Sequence, residues 1–401
     1  MKLRLKMPVA ATSSLISALR AHLQERAAEY LGHPGPSAVR HLGSRRHLNC
    51  STFRWEVRGE QSTIRLVAKV PFSRQKGRRG RVLPHETDCP RMFPRVDPAD
   101  KARLEFVTLA RLAAEFRRLN DPRFRFVRVR EYLPELRAVL MDEVSEPRLD
   151  EFLVAAGRRR GEASARALQA VANAGAWLRH CHRLAPLDHT RPRLLTRGEF
   201  QDSIQRYTDF LSVPAGTSSL GAAYFRALAA EVRARAEIHL PENLPLGMGH
   251  SDFTPGNLFA GADGSVAAFD TIGRWQAPVY EDLARFRLAL HCPSGWRAAP
   301  SPALRQRCQA ALLHGYFGDQ SPPEAALALF DIQAALDRWA SWMHAFRQAD
   351  GVKRALKGWR LRRAESVLRS YIDARRNQPF ATRSRLRAPV ARTASLLSGE
   401  L

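Results

Sequence analysis

The stretch Gly249-His250-Ser251-Asp252-Phe253-Thr254-Pro255-Gly256-Asn257-Leu258-Phe259, followed by Ala268-Phe269-Asp270-Thr271-Ile272-Gly273, carries most of the chemical information in this 401-residue chain. An Asp and an Asn stand five residues apart, and a second Asp follows thirteen later at the end of a hydrophobic run. Phosphoryl transfer asks little more of a protein: a carboxylate to orient an acceptor hydroxyl and take its proton, and oxygens to hold Mg²⁺ on the phosphates. Asp252 suits the first task. Asn257 and Asp270 suit the second, because Mg²⁺ takes a few protein oxygens beside phosphates and water. The plainer reading is that Asp252 and Asn257 are turn formers in a Gly- and Pro-rich loop, so the surrounding order decides.

Outward from this loop the pattern is ordered. Residues 246–272 have no helical period, and strand-like segments fall at 257–260 and 265–269. Helical periodicity covers 149–157, 163–184, about 199–211 and 220–239 before the loop, and 280–291, 302–317, 323–346 and 352–376 after it. Upstream the period changes to that of strands at 39–42, 51–58 and 63–70. In the third of these, Ile64, Leu66, Ala68 and Val70 alternate with Arg65, Val67 and Lys69, giving one buried face and one that presents Lys69. A helix is predicted over 99–119, strands over 124–132 and 138–144, and an amphipathic helix over 11–32 ended by Gly32. Trp339, Trp342, Phe346 and Trp359 recur at helical spacings and are predicted to be core.

The phrase His250-Ser251-Asp252 through Asn257 resembles the H-x-D-x-x-x-x-N loop of the aminoglycoside phosphotransferase and choline kinase-like family, within the protein-kinase-like superfamily. The run after Asp270 resembles that family's metal-binding Asp turn. Pro278 to Phe286 resembles its "DLA" helix, with Asp282 supporting the loop backbone, and 163–184 resembles its helix ending in "LHxL". The resemblance covers roughly 39–292 in the right order. It implies an α+β, bilobal kinase-like fold with an antiparallel-sheet N-terminal lobe and a mostly helical C-terminal lobe. The divisions expected are a helical extension (1–36), an N-terminal lobe (37–144) with a basic insertion (71–98), a helical lobe (145–376) carrying the loop 249–273, and a basic tail (377–401). It further implies that Lys69 pairs the α/β-phosphates of ATP, and that a helix Glu partners it, Glu105 first and Glu115 or Glu86 behind. Ser44–Asn49 would be the phosphate-covering turn, Glu143 and Val144 the adenine-binding linker, and His250 a packing residue of the loop. ATP and Mg²⁺ are the implied cofactors.

Composition bounds the partners. Against 39 acidic residues stand 64 basic ones, a net charge of +25, and only seven of the basic residues are Lys. Genome bias explains Arg in place of Lys but not the excess of base over acid. Such a surface attracts phosphorylated, nucleic or anionic-membrane partners and repels polycations. Residues 353–392 hold 13 basic and two acidic residues, and the insertion adds Arg74, Lys76, Arg78, Arg79 and Arg81. The acceptor expected is therefore a small molecule, carbohydrate or glycolipid, anionic rather than cationic, with peripheral association at an anionic membrane face. A nucleic-acid partner is not expected, since no recognised binding module occurs. The rival reading is an inactive kinase-fold protein that binds nucleotide or an anionic polymer. The five cysteines show neither disulfide nor zinc spacing. No apolar run reaches the ~18 residues of a membrane span, and the basic start followed by Pro8 and polar residues reads as cytoplasmic.

Overall fold

The computed structural model describes residues 9–47, 49–72, 89–91, 96–157, 161–187, 193–213, 220–292, 300–349 and 351–378. Arg74, Lys76, Arg78, Arg79, Arg81 and Glu86, and nearly all of the expected basic tail, lie outside them. Five strands, β1 (Ser37–Arg46), β2 (Cys50–Gly59), β3 (Thr63–Pro71), β4 (Val129–Leu133) and β5 (Ala138–Asp142), make an antiparallel sheet of order β1-β2-β3-β5-β4. The alternation in β3 works as predicted on one side: Leu66 and Ala68 are fully buried beneath Phe53, Trp55 and Val57. The helices α1 (Val9–Glu25) and α2 (Ala27–Leu31) cover that face with Leu19, Leu23, Ala27 and Tyr30. The single helix expected over 11–32 is broken at Arg26, where Arg26, His22 and Tyr30 all converge on Glu131 of β4. Gly32 ends α2 in the left-handed region, as expected of a C-terminal glycine.

The other face of the sheet is covered by α3 (Pro98–Leu119), which opens on Asp97 as its N-cap, with its side chain accepting from the Ala99 amide, and buries Ala102 against Val139 and Met141. The strand expected over 124–132 begins only at Val129. Its first half is drawn away because Phe124 is buried against Phe116 of α3 and His180 in the helical lobe, while the amides of Arg125 and Val266 bond Val266 O and Arg123 O at 2.8 and 2.9 Å.

The helical lobe comprises α4 (Leu149–Gly157), α5 (Glu162–His182), α6 (Arg197–Ser212), α7 (Ala222–His239), α8 (Val279–His291), α9 (Pro302–Phe317), α10 (Glu324–Arg347) and α11 (Gly351–Arg376). These lie within a few residues of the predicted helices. Two small ladders interrupt them: β6 (Leu246–Met248) with β9 (Gln276–Pro278), and the hairpin β7 (Leu258–Ala260) with β8 (Val266–Ala268). Of the four aromatic residues predicted as core, Trp339 and Phe346 are buried and Trp342 packs partly against the same cluster. Trp359 is exposed, because the buried side of α11 is Leu361, Leu368, Tyr371 and Ile372. That same side carries ions: Asp331 of α10 takes Arg287 of α8 at 3.1 Å and Arg375 of α11 at 2.6 Å.

Helices α5 and α9 touch backbone to backbone. A Cβ built on Gly175 would lie 2.2 Å from Leu312 O, and one on Gly315 would lie 1.9 Å from Ala172 O. Gly175→Ala and Gly315→Ala should each destabilise the fold by at least the ~1–3 kcal/mol typical of overpacking, measured by urea denaturation, whereas Gly198→Ala, inside α6 with only Thr196 at 3.8 Å, should not. His291 is held neutral in this lobe: burial, then Arg305, Arg375 and Arg287, push its pKa down to about 4. The unfolded chain takes up that proton near pH 6.5 and the folded one does not, so stability should be complete above about 6.5 and decline as pH falls toward 4. His291→Gln should flatten that part of a pH series of melting temperatures.

Candidate active site

The sequence-nominated residues from the sheet and the loop meet around one side chain. Lys69 Nζ lies 2.6 Å from Glu105 Oε1 of α3 and 2.6 Å from Asp270 Oδ1. The register explains the aim: Lys69 sits opposite Thr52 on β2 and Val139 on β5, on the sheet face that α3 covers. That face is the inside of the cleft and not a solvated surface, so Lys69 is itself buried. Burial works to raise the Asp270 carboxyl, but Lys69 and a second lysine outweigh it and hold Asp270 well below the carboxylate range. Burial lowers Lys69, and Asp270 and Glu105 more than restore it. Glu105, with Oε2 buried and unpartnered, is raised by burial against the pull of Lys69.

The second lysine is Lys101, which sequence reading passed over. Its Nζ is 3.3 Å from Asp270 Oδ1, and it stands one turn before Glu105 on the same face of α3. It occupies the first turns of that helix, where the macrodipole disfavours a cation. It is also one of only seven lysines in a chain with 57 arginines. The i, i+4 relation to Glu105 was the available signal.

Loop 249–257 is held from below. The Asp282 Oδ2 of α8 accepts from the His250 amide at 2.7 Å and from His182 Nε2 of α5 at 3.2 Å, and His182 Nδ1 meets Tyr316 OH at 2.8 Å. Burial would raise Asp282; His182 and His250 bring it below its ordinary value. His250 is fully buried and packs edge-on against Trp177 and Phe253, and burial pushes its pKa down. Above this support, the Asn257 amide donates to Asp252 O at 2.9 Å and to Asp252 Oδ2 at 2.8 Å. Ser251 and Asp270 both adopt positive φ, 70° and 59°, a strain that persists only where surroundings impose it. Gly273 permits α3 to close on the turn, since a Cβ there would meet Thr108 at 2.8 Å.

Between sheet and hairpin lies an apolar slot. Val67, Val144, Phe259 and Phe269 are partly buried around Met141, with Phe259 and Phe269 stacked at 4.6 Å. Val67 is two residues before Lys69 and Phe259 two after Asn257, offsets that sequence reading left unused. Glu143 and Val144 follow β5 directly, and the Glu143 amide bonds Arg65 O at 2.9 Å. A cavity of about 220 Å³ shares Val144 and Phe259 but reaches neither Lys69 nor Asp270, so it is not a triphosphate site. The turn expected over 44–49 is corrected: Ser44 is an exposed strand residue opposite Phe53, and β1 runs on to Arg46. The bulge at His41/Gly43 uses the lone glycine, so β1 continues past it. Beyond Asp252, Arg285 of α8 feels its charge and pairs with Asp337 of α10 at 3.2 Å, and Tyr207 OH of α6 donates to Asp337 at 2.9 Å.

No protein-family model and no curated protein sequence matches this chain. Solved structures do. A Ralstonia eutropha protein provisionally assigned as an aminoglycoside phosphotransferase aligns over 90% of this chain and 98% of its own, at 12% identity and a TM-score of 0.52. An ethanolamine kinase of Plasmodium vivax aligns over 92% and 98%, at 9% identity and a TM-score of 0.49. A spectinomycin phosphotransferase solved with ADP and spectinomycin aligns over 88% and 98%, at 11% and 0.47. At 12% identity the first likeness is one of fold. The chain shares the bilobal, kinase-like fold of that first structure, an antiparallel-sheet region followed by a helical one.

Proposed function

We propose that this protein is a phosphotransferase that moves the γ-phosphate of ATP onto a hydroxyl of a small-molecule, carbohydrate or glycolipid acceptor. The observation that carries this reading is the convergence of Lys69, Glu105 and Asp270 at 2.6 Å beside an Asp252 clasped by Asn257. These are the parts that phosphoryl transfer needs, and they come from separate segments of the chain.

The donor set fits Mg²⁺. Asn257 spends its amide hydrogens on Asp252, which leaves its Oδ1 as an acceptor, and Asp270 adds a carboxylate. Two hard protein oxygens are what Mg²⁺ takes when phosphates and water complete its shell. Among the described residues, no group of three or more His, Cys, Asp or Glu forms a metal site. Bound there with the nucleotide, Mg²⁺ would supply charge neutralisation at the β- and γ-phosphate oxygens. In this reading the Val67–Phe259 slot takes the purine, and Lys69, fixed by Glu105, holds the α- and β-phosphates. Asp252, oriented through Asn257, accepts the acceptor's proton. Lys101, now 3.3 Å from Asp270 Oδ1, would add a second cation to the triphosphate once it turned from that carboxylate.

Asp252→Asn should leave Mg²⁺-ATP binding intact and lower turnover by the ~10²–10⁴-fold that a positioned proton acceptor contributes. The assay is Mg²⁺-ATP turnover against a panel of sugars, glycolipids and aminoglycosides. Equal rates for variant and wild type would end the enzyme reading, and nucleotide binding without turnover would favour an inactive kinase fold. Lys101→Met should raise the ATP requirement by roughly tenfold, about 1.4 kcal/mol, and lower the half-saturating Mg²⁺, because the ammonium no longer competes for Asp270. Nucleotide-binding titrations at varied Mg²⁺ check both shifts, and a purely structural lysine would move neither.

A further inference from the structure

We propose that the outer face of α11 docks on an anionic membrane surface. Val352, Leu356, Trp359 and Val367 are 77%, 42%, 51% and 40% exposed. At 100° per residue they fall within an arc of roughly 80°. The buried residues Gly358, Leu361, Glu365 and Leu368 occupy the opposite side. Single exposed apolar side chains are ordinary on a protein surface. Four in one line, on a helix whose other face is already packed into the core, make a ridge.

The charge around the ridge identifies its occupant. Lys353 and Arg360 lie along one flank, Arg362 and Arg369 along the other, and Arg363 interrupts the ridge itself; all are exposed. From 351 to 364 there are six basic residues and no acidic one, and the first acidic residue, Glu365, is buried. An apolar strip with an indole, bordered by cations on both sides, is the pattern of a helix lying in an anionic lipid interface. The strip enters the headgroup boundary while long basic side chains reach the phosphates. A second copy of this chain is a poor occupant, because it would bring the same excess of basic residues to the contact. A nucleic acid would satisfy the cations but leave the aliphatic ridge without a partner. Among the described residues no helix is long and apolar enough to cross a membrane, so the attachment is one of surface. It does not depend on the phosphotransferase reading.

The test uses the full chain and vesicles of phosphatidylcholine, alone or with roughly 30% phosphatidylglycerol, as an anionic surface of defined charge. Sedimentation with the anionic vesicles, little with the neutral ones, and release at high salt are expected. The Leu356→Ser/Trp359→Ser double variant should partition roughly tenfold more weakly. Its melting temperature should fall by only a few degrees, since neither side chain lies in the core. Trp359→Phe should still bind but lose part of the vesicle-induced blue shift in tryptophan emission. Equal sedimentation of wild type and double variant, or none at low salt, would overturn the proposal. So would tighter retention of double-stranded DNA that the double variant weakens, which would assign the face to nucleic acid. A concentration-dependent dimer abolished by the double variant would assign it to self-association.

Discussion

A lysine ammonium enclosed on two sides by carboxylates is the contact on which the arrangement of this molecule turns. Lys69, Glu105 and Asp270 belong to the sheet, to the helix behind it and to the loop of the helical lobe, so one ion group joins three distant segments of the chain. Taking these charges out of water is costly, and it is tolerated only because each meets another within hydrogen-bond distance. Removing one member strands the others, a loss of about 3–5 kcal/mol in comparable buried pairs. The rest of the N-terminal region can be understood as support for that aim. Strand register sets Lys69 on the covered face, the Asp97 cap starts α3 so that Glu105 comes round to it, and Gly273 lets α3 close against the turn that follows Asp270.

The same economy holds beneath the loop. Asp282 bonds one backbone amide and one imidazole, and His182 passes the connection on to Tyr316. Asp252 and Asn257, which touch each other, therefore rest on residues from α5, α8 and α9 that never reach the cleft. A loop built from glycine, proline and a residue at positive φ has little intrinsic rigidity. Here the rigidity is borrowed from packed helices.

Much of this was legible in the chain because local patterns carried it. Period-2 alternation located β3, helical spacing located the eight helices of the second half, and the offset from Asp252 to Asn257 named the loop. What escaped depended on contacts between distant segments. Phe124–Arg128 has the composition of a strand, yet Phe124 finds its partners in the helical lobe. Ser44 was placed in a turn because Gly43 punctuates the run, but that glycine serves a bulge and the ladder continues. Trp359 has a helical spacing to Trp339 and Phe346, but a break between α10 and α11 resets the phase and turns it outward. Lys101 could be found only by asking which face of α3 Glu105 would occupy.

The segment that failed to become a strand has a mechanical consequence. Residues 124–128 run beside the linker after β5, joined by the Asp142 amide to Arg128 O at 2.9 Å and by the ion pair of Arg125 with Glu146. Arg125 and Val266 continue the pairing on one side, and the bond from the Ala260 amide to Pro147 O does so on the other. The two halves of the molecule are thus connected by a two-stranded ribbon. A single covalent linker can swivel; a paired ribbon bends readily across its width and resists torsion. A connection of this kind opposes rotation of one half against the other and so keeps the ammonium of Lys69 aimed at Asp270.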